Sequence, residues 1–166
     1  QYCEFHYGPE HFGVPNFPAR LAEICRELVA AQGTATGGAL DLGCATGRST
    51  FELARTFDHV TGIDFSARFI RVGHELQEKG YTRWAVPDEG ELMRYREVAL
   101  TDLGLADVRE KVEFWQGDAH NLKPQFTGYD LILAANLVDR LYEPRKWLDT
   151  VHARLNPGGL LVITSP

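Results

Sequence analysis

Apolar positions along the chain keep two alternating rhythms. Short runs rich in Val, Ile and Leu occupy residues 39–42, 59–63, 112–115, 129–134 and 160–164. Runs of this length and type suit strands covered on both faces. Between them the spacing changes to three and four. Leu21, Ile24, Cys25, Leu28 and Val29 repeat at helical spacing, with Pro18 placed for a first turn and Gly33 for a stop. Ser66 is placed to cap a helix that carries Phe69, Ile70 and Leu76 and ends at Gly80. Pro144 opens another, with Trp147, Leu148, Val151 and Leu155 expected on one face. Asn156-Pro157-Gly158-Gly159 reads as the turn before the fifth strand. Strands alternating with helices predict an α/β fold, a parallel sheet with crossover connections.

Residues 81–111 break the rhythm, because they are long for a link from helix to strand. Pro87-Asp88-Glu89-Gly90 between Trp84 and Met93 predicts a small hairpin, and a short helix is expected near 105–111. An insertion of this length serves as a lid or partner surface, or is a decorated loop.

Composition narrows the class. The 166 residues suffice for one domain, 44% apolar and 24% charged, the balance of a globular protein. A net charge of −6 with no Lys/Arg run argues against nucleic acid as a partner. No stretch approaches the length of a membrane span, and the start has no signal-peptide pattern. Cys3, Cys25 and Cys44 are scattered without a CxxC pair, which favours reduced thiols and a cytoplasmic setting. The six histidines form no metal-binding cluster, so no metal is expected. Opening on Gln1 and stopping at Pro166 after an apolar run, the chain is read as a piece of a longer polypeptide.

Chemistry concentrates in "LDLGCATGRST", residues 40–50. This loop is one residue short of a P-loop and has Arg48 where the phosphate-binding Lys belongs. The dinucleotide pattern GxGxxG fails as well, with Ala45 and Arg48 at glycine positions. Gly43 and Gly47 still follow the first strand, where an open parallel sheet places its ligands. Asp41, two residues earlier, would repel a triphosphate and suits a cationic ligand. Asp64 ends the second strand, where an acid can accept from ribose hydroxyls. Asp118 follows the third and suits an exocyclic amine. Each acid alone has a plain alternative as a turn former; three at successive strand ends point together.

The stretches "LDLGCATG", "VTGID", "WQGDA", "YDLILAANLV" and "LNPGGLLVITSP", in this order, resemble the class I S-adenosylmethionine-dependent methyltransferases. The resemblance implies a Rossmann-like, doubly wound sheet that normally has seven strands, of which five are accounted for here. It implies S-adenosylmethionine as cofactor. Asp41, Gly43, Cys44, Ala45 and Gly47 would lie at its methionine end. Asp64 would hold the ribose beside Phe65, Asp118 and Ala119 would border the base, and Asn136 would face the methyl group. Ala45 departs from the glycine that many members carry, a tolerable change.

A finer resemblance rests on "EFHYGPEHFGVPNFP", "VPDEGEL" and "ANLVDRLYEP". Together they are similar to the carboxyl-terminal methyltransferase domain of ovothiol synthase, the 5-histidylcysteine sulfoxide synthase family. That resemblance implies methylation of a ring nitrogen of 4-mercaptohistidine and an iron-dependent sulfoxide synthase region fused to or docked on this one. Asp139 and Arg140 are then candidates for holding the acceptor's amino-acid end. His6 is the candidate proton acceptor, and the aromatic opening segment, residues 1–17, either closes over the donor or packs on the first helix.

Overall fold

The computed structural model describes residues 1–10 and 12–166. His11, one of the six histidines expected not to bind metal, lies outside the described residues. In chain order the elements are helix α1 (Tyr2–Tyr7), α2 (Phe17–Gln32), strand β1 (Gly38–Leu42), α3 (Arg48–Leu53), β2 (His59–Asp64) and α4 (Ala67–Lys79). There follow β3 (Tyr81–Pro87), β4 (Met93–Ala99), β5 (Val112–Gln116), β6 (Tyr129–Ala135), α5 (Pro144–Val151) and β7 (Leu155–Thr164). Five strands form one parallel sheet in the order β5-β2-β1-β6-β7. The order reverses between β1 and β6, which makes the carboxyl ends of those two strands the switch point of a Rossmann-like, doubly wound fold.

Side-chain alternation divides the core into two layers. Ala39, Val60, Val112, Leu131 and Leu133 point toward α2, α3 and α4, where Leu21, Cys25, Phe51, Ile70 and Leu76 meet them. Leu40, Leu42, Ile63, Ile132 and Ala134 point the other way, onto Phe126, Trp147 and Val151. A strand buried on both faces has no room for a polar period, so its sequence reads as an unbroken apolar run. Helix α2 starts at Asn16, whose side chain accepts from the Ala19 amide, and stops at Gly33, with φ 64°. Helix α4 follows Ser66 and stops at Gly80, with φ 80°; Ser66 makes no side-chain cap bond.

The insertion forms a separate antiparallel hairpin, β3 against β4, followed by a 3-10 turn at Ala106–Lys111. Two expectations at the carboxyl end need correction. Helix α5 ends at Val151, Leu148 is 43% exposed, and Leu155 already belongs to β7, opposite Tyr129. The Asn-Pro-Gly-Gly stretch does not precede the strand; it is an irregular excursion inside β7, where the register jumps from Tyr129↔Leu155 to Leu131↔Leu160. Asn156 holds this excursion in place by donating to Gly128 O and to Asp130.

Candidate active site

The loop after β1 folds back over the end of β2. Gly43 and Cys44 both donate backbone N–H to Ile63 O, and the Ala45 amide donates to Asp64 Oδ2 at 2.9 Å. Gly47 donates to Cys44 O, and the Arg48 amide points at His6 Nδ1 at 3.4 Å. The amides of Gly43, Cys44, Ala45, Gly47 and Arg48 are thereby used internally, which separates this loop from a phosphate cradle. Gly43 and Gly47 take φ of 80° and 91°, a region that favours glycine, whereas Ala45 sits at φ 48°. Ala45 holds that strained position because its amide is pinned to Asp64.

At the switch point lies a cavity of about 1110 Å³. Gly43, Cys44, Ala45, Asp64, Phe65, Asp118, Ala119 and Asn136 line it at the strand ends. Asp64 keeps both oxygens near the loop, accepting from Ala45 and, through Oδ1, from the Ser66 amide at 2.8 Å. Burial raises its pKa, with those two amides opposing. Asp118 Oδ1 accepts from the His120 amide at 2.9 Å. Phe65 is 76% exposed and presents its ring to the cavity. Asn136, at φ 49°, accepts at its side-chain oxygen from the Thr164 hydroxyl.

The remaining expected residues are placed differently. Asp41 is 1% exposed and does not line the cavity; its Oδ2 accepts from the Ser49 and Thr50 hydroxyls, each at 2.7 Å. It ties the glycine loop to α3 from behind, so it does not face a ligand directly. Gly47 is also behind the wall, where a Cβ would stand 2.6 Å from Phe114 Cε1. Arg140 reaches the cavity rim and pairs with Asp139 at 3.1 Å, while Asp139 itself is not among the lining residues. His6 lines the cavity, but burial and then the Arg48 charge push its pKa down to about 4. With Nδ1 turned to the Arg48 amide, it is a neutral roof residue and a poor proton acceptor.

Helix α1 forms that roof. Tyr7 donates its hydroxyl to Thr46 O at 2.7 Å, Arg48 Nη1 donates to His6 O, and the Tyr2 ring lies 4.4 Å from that of Phe69. Sequence reasoning missed Phe69, His120 and Tyr142 as cavity residues. Phe69 read as core because its spacing is helical; its place in the first turn after β2 was the available signal. Tyr142 lies within "ANLVDRLYEP", a stretch that assigns it no role, and His120 follows "WQGDA" directly; each lies in a loop that follows a strand.

The charge of the site bears on the cofactor. Asp64 and Asp118 stand at the strand tips, and Arg48, the cation nearest the loop, is committed to Glu52 and to His6 O. Arg140 is the one Lys or Arg among the described lining residues. Asp64 and Asp118 at the strand tips, Glu4 and Glu10 elsewhere in the lining, and a loop whose amides largely bond internally fit a cationic adenosyl compound better than a pyrophosphate.

Comparisons with known proteins agree with this geometry. A family model described as a methyltransferase domain matches residues 17–166. The chain belongs to this methyltransferase domain family. A demethylmenaquinone methyltransferase of Clavibacter sepedonicus is 30% identical over 124 residues, 75% of this chain and 39% of that protein. An S-adenosylmethionine-dependent methyltransferase of Clostridium acetobutylicum superposes with a TM-score of 0.64 at 17% identity, over 91% of this chain and 50% of that one. The glycopeptide N-methyltransferase MtfA, in complex with sinefungin, gives 0.60 at 20% identity, over 92% and 54%. The two solved structures share the fold, and this chain spans about half the length of each and less of the curated relative.

Proposed function

We propose that the chain is an S-adenosylmethionine-dependent N-methyltransferase whose acceptor is a ring nitrogen of 4-mercaptohistidine. The observation that carries the donor assignment is the convergence of Asp64, Asp118 and the folded-back glycine loop on one cavity at the switch point. Asp64 accepts from the ribose hydroxyls, Phe65 covers the base, and Asp118 with Ala119 borders its edge. Gly43, Cys44 and Ala45 supply a close backbone wall at the methionine end, and Asp41 holds that wall in shape through Ser49 and Thr50. Asn136 stands beside the reacting region.

The bound cofactor supplies an activated methyl group. What the chain does is hold and orient the acceptor and keep water out, which accounts for roughly 7–11 kcal/mol of a barrier in well-oriented systems. An imidazole nitrogen with an unperturbed pKa of about 6.5 is mostly neutral near pH 7, so no dedicated base is required. The exposed rings of Phe5 and Tyr142 at the cavity suit a flat acceptor, and Arg140 at the rim, with Asp139 paired beside it outside the lining, suits its amino-acid end. The three "EFHYGPEHFGVPNFP"-type stretches support ovothiol chemistry, with an iron-dependent sulfoxide synthase as fused or docked partner. The three free thiols support a reducing, cytoplasmic setting, and no helix is long and apolar enough to cross a membrane among the described residues.

Calorimetry with S-adenosylmethionine tests the donor half. We expect Asp64→Ala to weaken binding at least tenfold and Asp139→Ala to change it less than threefold, since a charged hydrogen bond contributes about 1.5–3 kcal/mol. Equal losses refute the site map. Mass gain on 4-mercaptohistidine, histidine and a demethylated naphthoquinone tests the acceptor half. Methylation of the quinone alone would transfer the reading to the chemistry named for the Clavibacter relative.

A further inference from the structure

His120 joins the two sides of the cavity. Its backbone amide donates to Asp118 Oδ1, and its ring Nδ1 stands 3.9 Å from the same oxygen. Across the cavity rim, the Glu143 amide donates to its Nε2 at 3.2 Å. A ring nitrogen that accepts carries no proton, so the neutral ring bears its hydrogen on Nδ1, toward Asp118. The ring is also stacked on Tyr142, centroids 3.9 Å apart and planes 24° from parallel. Its side chain is 6% exposed, although both loops around it are surface loops.

These contacts bear on the stretch from Asn136 to Glu143. That stretch supplies Asn136, Leu137, Arg140, Leu141 and Tyr142 to the cavity, and between β6 and α5 it has only one 3-10 turn of its own, Val138–Arg140. Arg140 is exposed and pairs with its own neighbour, so it does not anchor the stretch elsewhere. The far end is fixed where Glu143 meets His120. His120 thus meets Asp118 through its backbone amide and Glu143 through its ring, so one residue bridges the loop after β5 and the start of α5.

We propose that His120 is a positioning residue for the acceptor: it holds the Arg140–Glu143 segment, and with it the Tyr142 ring, against the donor site. The role rests on the methyltransferase reading above. It deepens that reading by assigning the acceptor wall to one latch, distinct from the groups that hold the cofactor.

Two variants separate latch from filler. His120→Phe keeps the stack on Tyr142 and loses the acceptor for Glu143. His120→Gln places a carbonyl oxygen near the Nε2 position. Three quantities are read: hydrogen exchange at the Glu143 amide, the affinity for S-adenosylhomocysteine, and kcat with KM for the acceptor that the parent methylates. For His120→Phe we expect Glu143 exchange and acceptor KM each to rise about 3- to 10-fold, the factor one lost hydrogen bond makes. Product affinity should change by less than about twofold, and His120→Gln should restore most of both losses. An unchanged Glu143 amide in His120→Phe overturns the latch, as does a loss of product affinity equal to the rise in KM. Failure of the parent to methylate any acceptor would count against the functional reading alone, because exchange and product binding need no turnover.

Discussion

Asp41 spends its charge inside the protein. Burial pushes its carboxyl from an ordinary 3.8 up to about 6; the Ser49 and Thr50 hydroxyls oppose the rise, and the Asp64 charge adds to it. Between those two values the folded chain binds this proton more readily than the unfolded chain. The contribution of Asp41 to stability is therefore full below about pH 4 and is lost as pH rises through about 6. An Asp41→Asn variant keeps an acceptor oxygen and does not titrate. Relative to the parent it should gain about 2–3 kcal/mol between pH 4 and pH 8, since a pKa difference of one between folded and unfolded chain is worth about 1.4 kcal/mol. Denaturant midpoints of both proteins at the two pH values measure this directly; a constant difference would rule out a buried, ionising Asp41. The sequence placed all three acids near strand ends but could not say which way each points. Asp41 lies within β1, where strand parity sends it opposite to Leu40 and Leu42, toward the α3 hydroxyls eight and nine residues on. Asp64 is the last residue of its strand and Asp118 lies past the end of β5, so both are free to open onto the cavity.

Helices and strands are held in register by one ring. Phe114 of β5 lies in a slot whose walls are Gly47 at the start of α3, Gly62 in β2 and Gly73 in α4; a Cβ at any of them would come within 3.0 Å of the ring. Gly73 is the informative position. In an exposed helix interior, Gly→Ala stabilises by about 1 kcal/mol. Here the new methyl would stand 2.8 Å from Phe114 Cδ1, and overpacking of this kind costs about 1–3 kcal/mol. Gly73→Ala should thus lower stability, and adding Phe114→Leu should recover part of the loss. Urea titrations decide it, and a Gly73→Ala protein at least as stable as the parent would dismiss the slot. The sequence announced most element boundaries at this scale because glycines in positive φ stop α2 and α4. It failed at α5 because Leu148 and Leu155 share the apolar character of Trp147 and Val151 without sharing their surroundings. The excursion in β7 was hidden for a related reason, since Asn-Pro-Gly-Gly looks the same whether it precedes a strand or interrupts one.

Across the whole molecule, the insertion and the opening segment form one device. Glu4 of α1 accepts from Trp84 Nε1 at 2.8 Å and pairs with Arg96 at 3.3 Å, so the β3–β4 hairpin braces the helix that roofs the cavity. Further supports of that roof come from the glycine loop and the start of α3, through Tyr7 on Thr46 and His6 with Arg48. Others come from Asn16, which donates to Phe5 O and His6 O, and from Phe69 of α4 beside Tyr2. Neither segment announced this link, because 80 residues separate Glu4 from Trp84 and neither belongs to a cofactor motif. If the roof closes over the donor, loosening the brace should act on release more than on folding. Trp84→Phe keeps the ring and removes the N–H; Glu4→Gln removes the charge opposite Arg96. Combined, they should speed dissociation of S-adenosylhomocysteine about 5- to 30-fold, the effect of losing one or two partly exposed contacts of about 1 kcal/mol each. The unfolding midpoint should fall by only about 2–4 °C per kcal/mol lost, because Glu4 lies outside both core layers and Trp84→Phe keeps an aromatic ring against one of them. Stopped-flow release measures the rate, and an unchanged rate with intact binding would show that α1 packs on the domain without gating the donor.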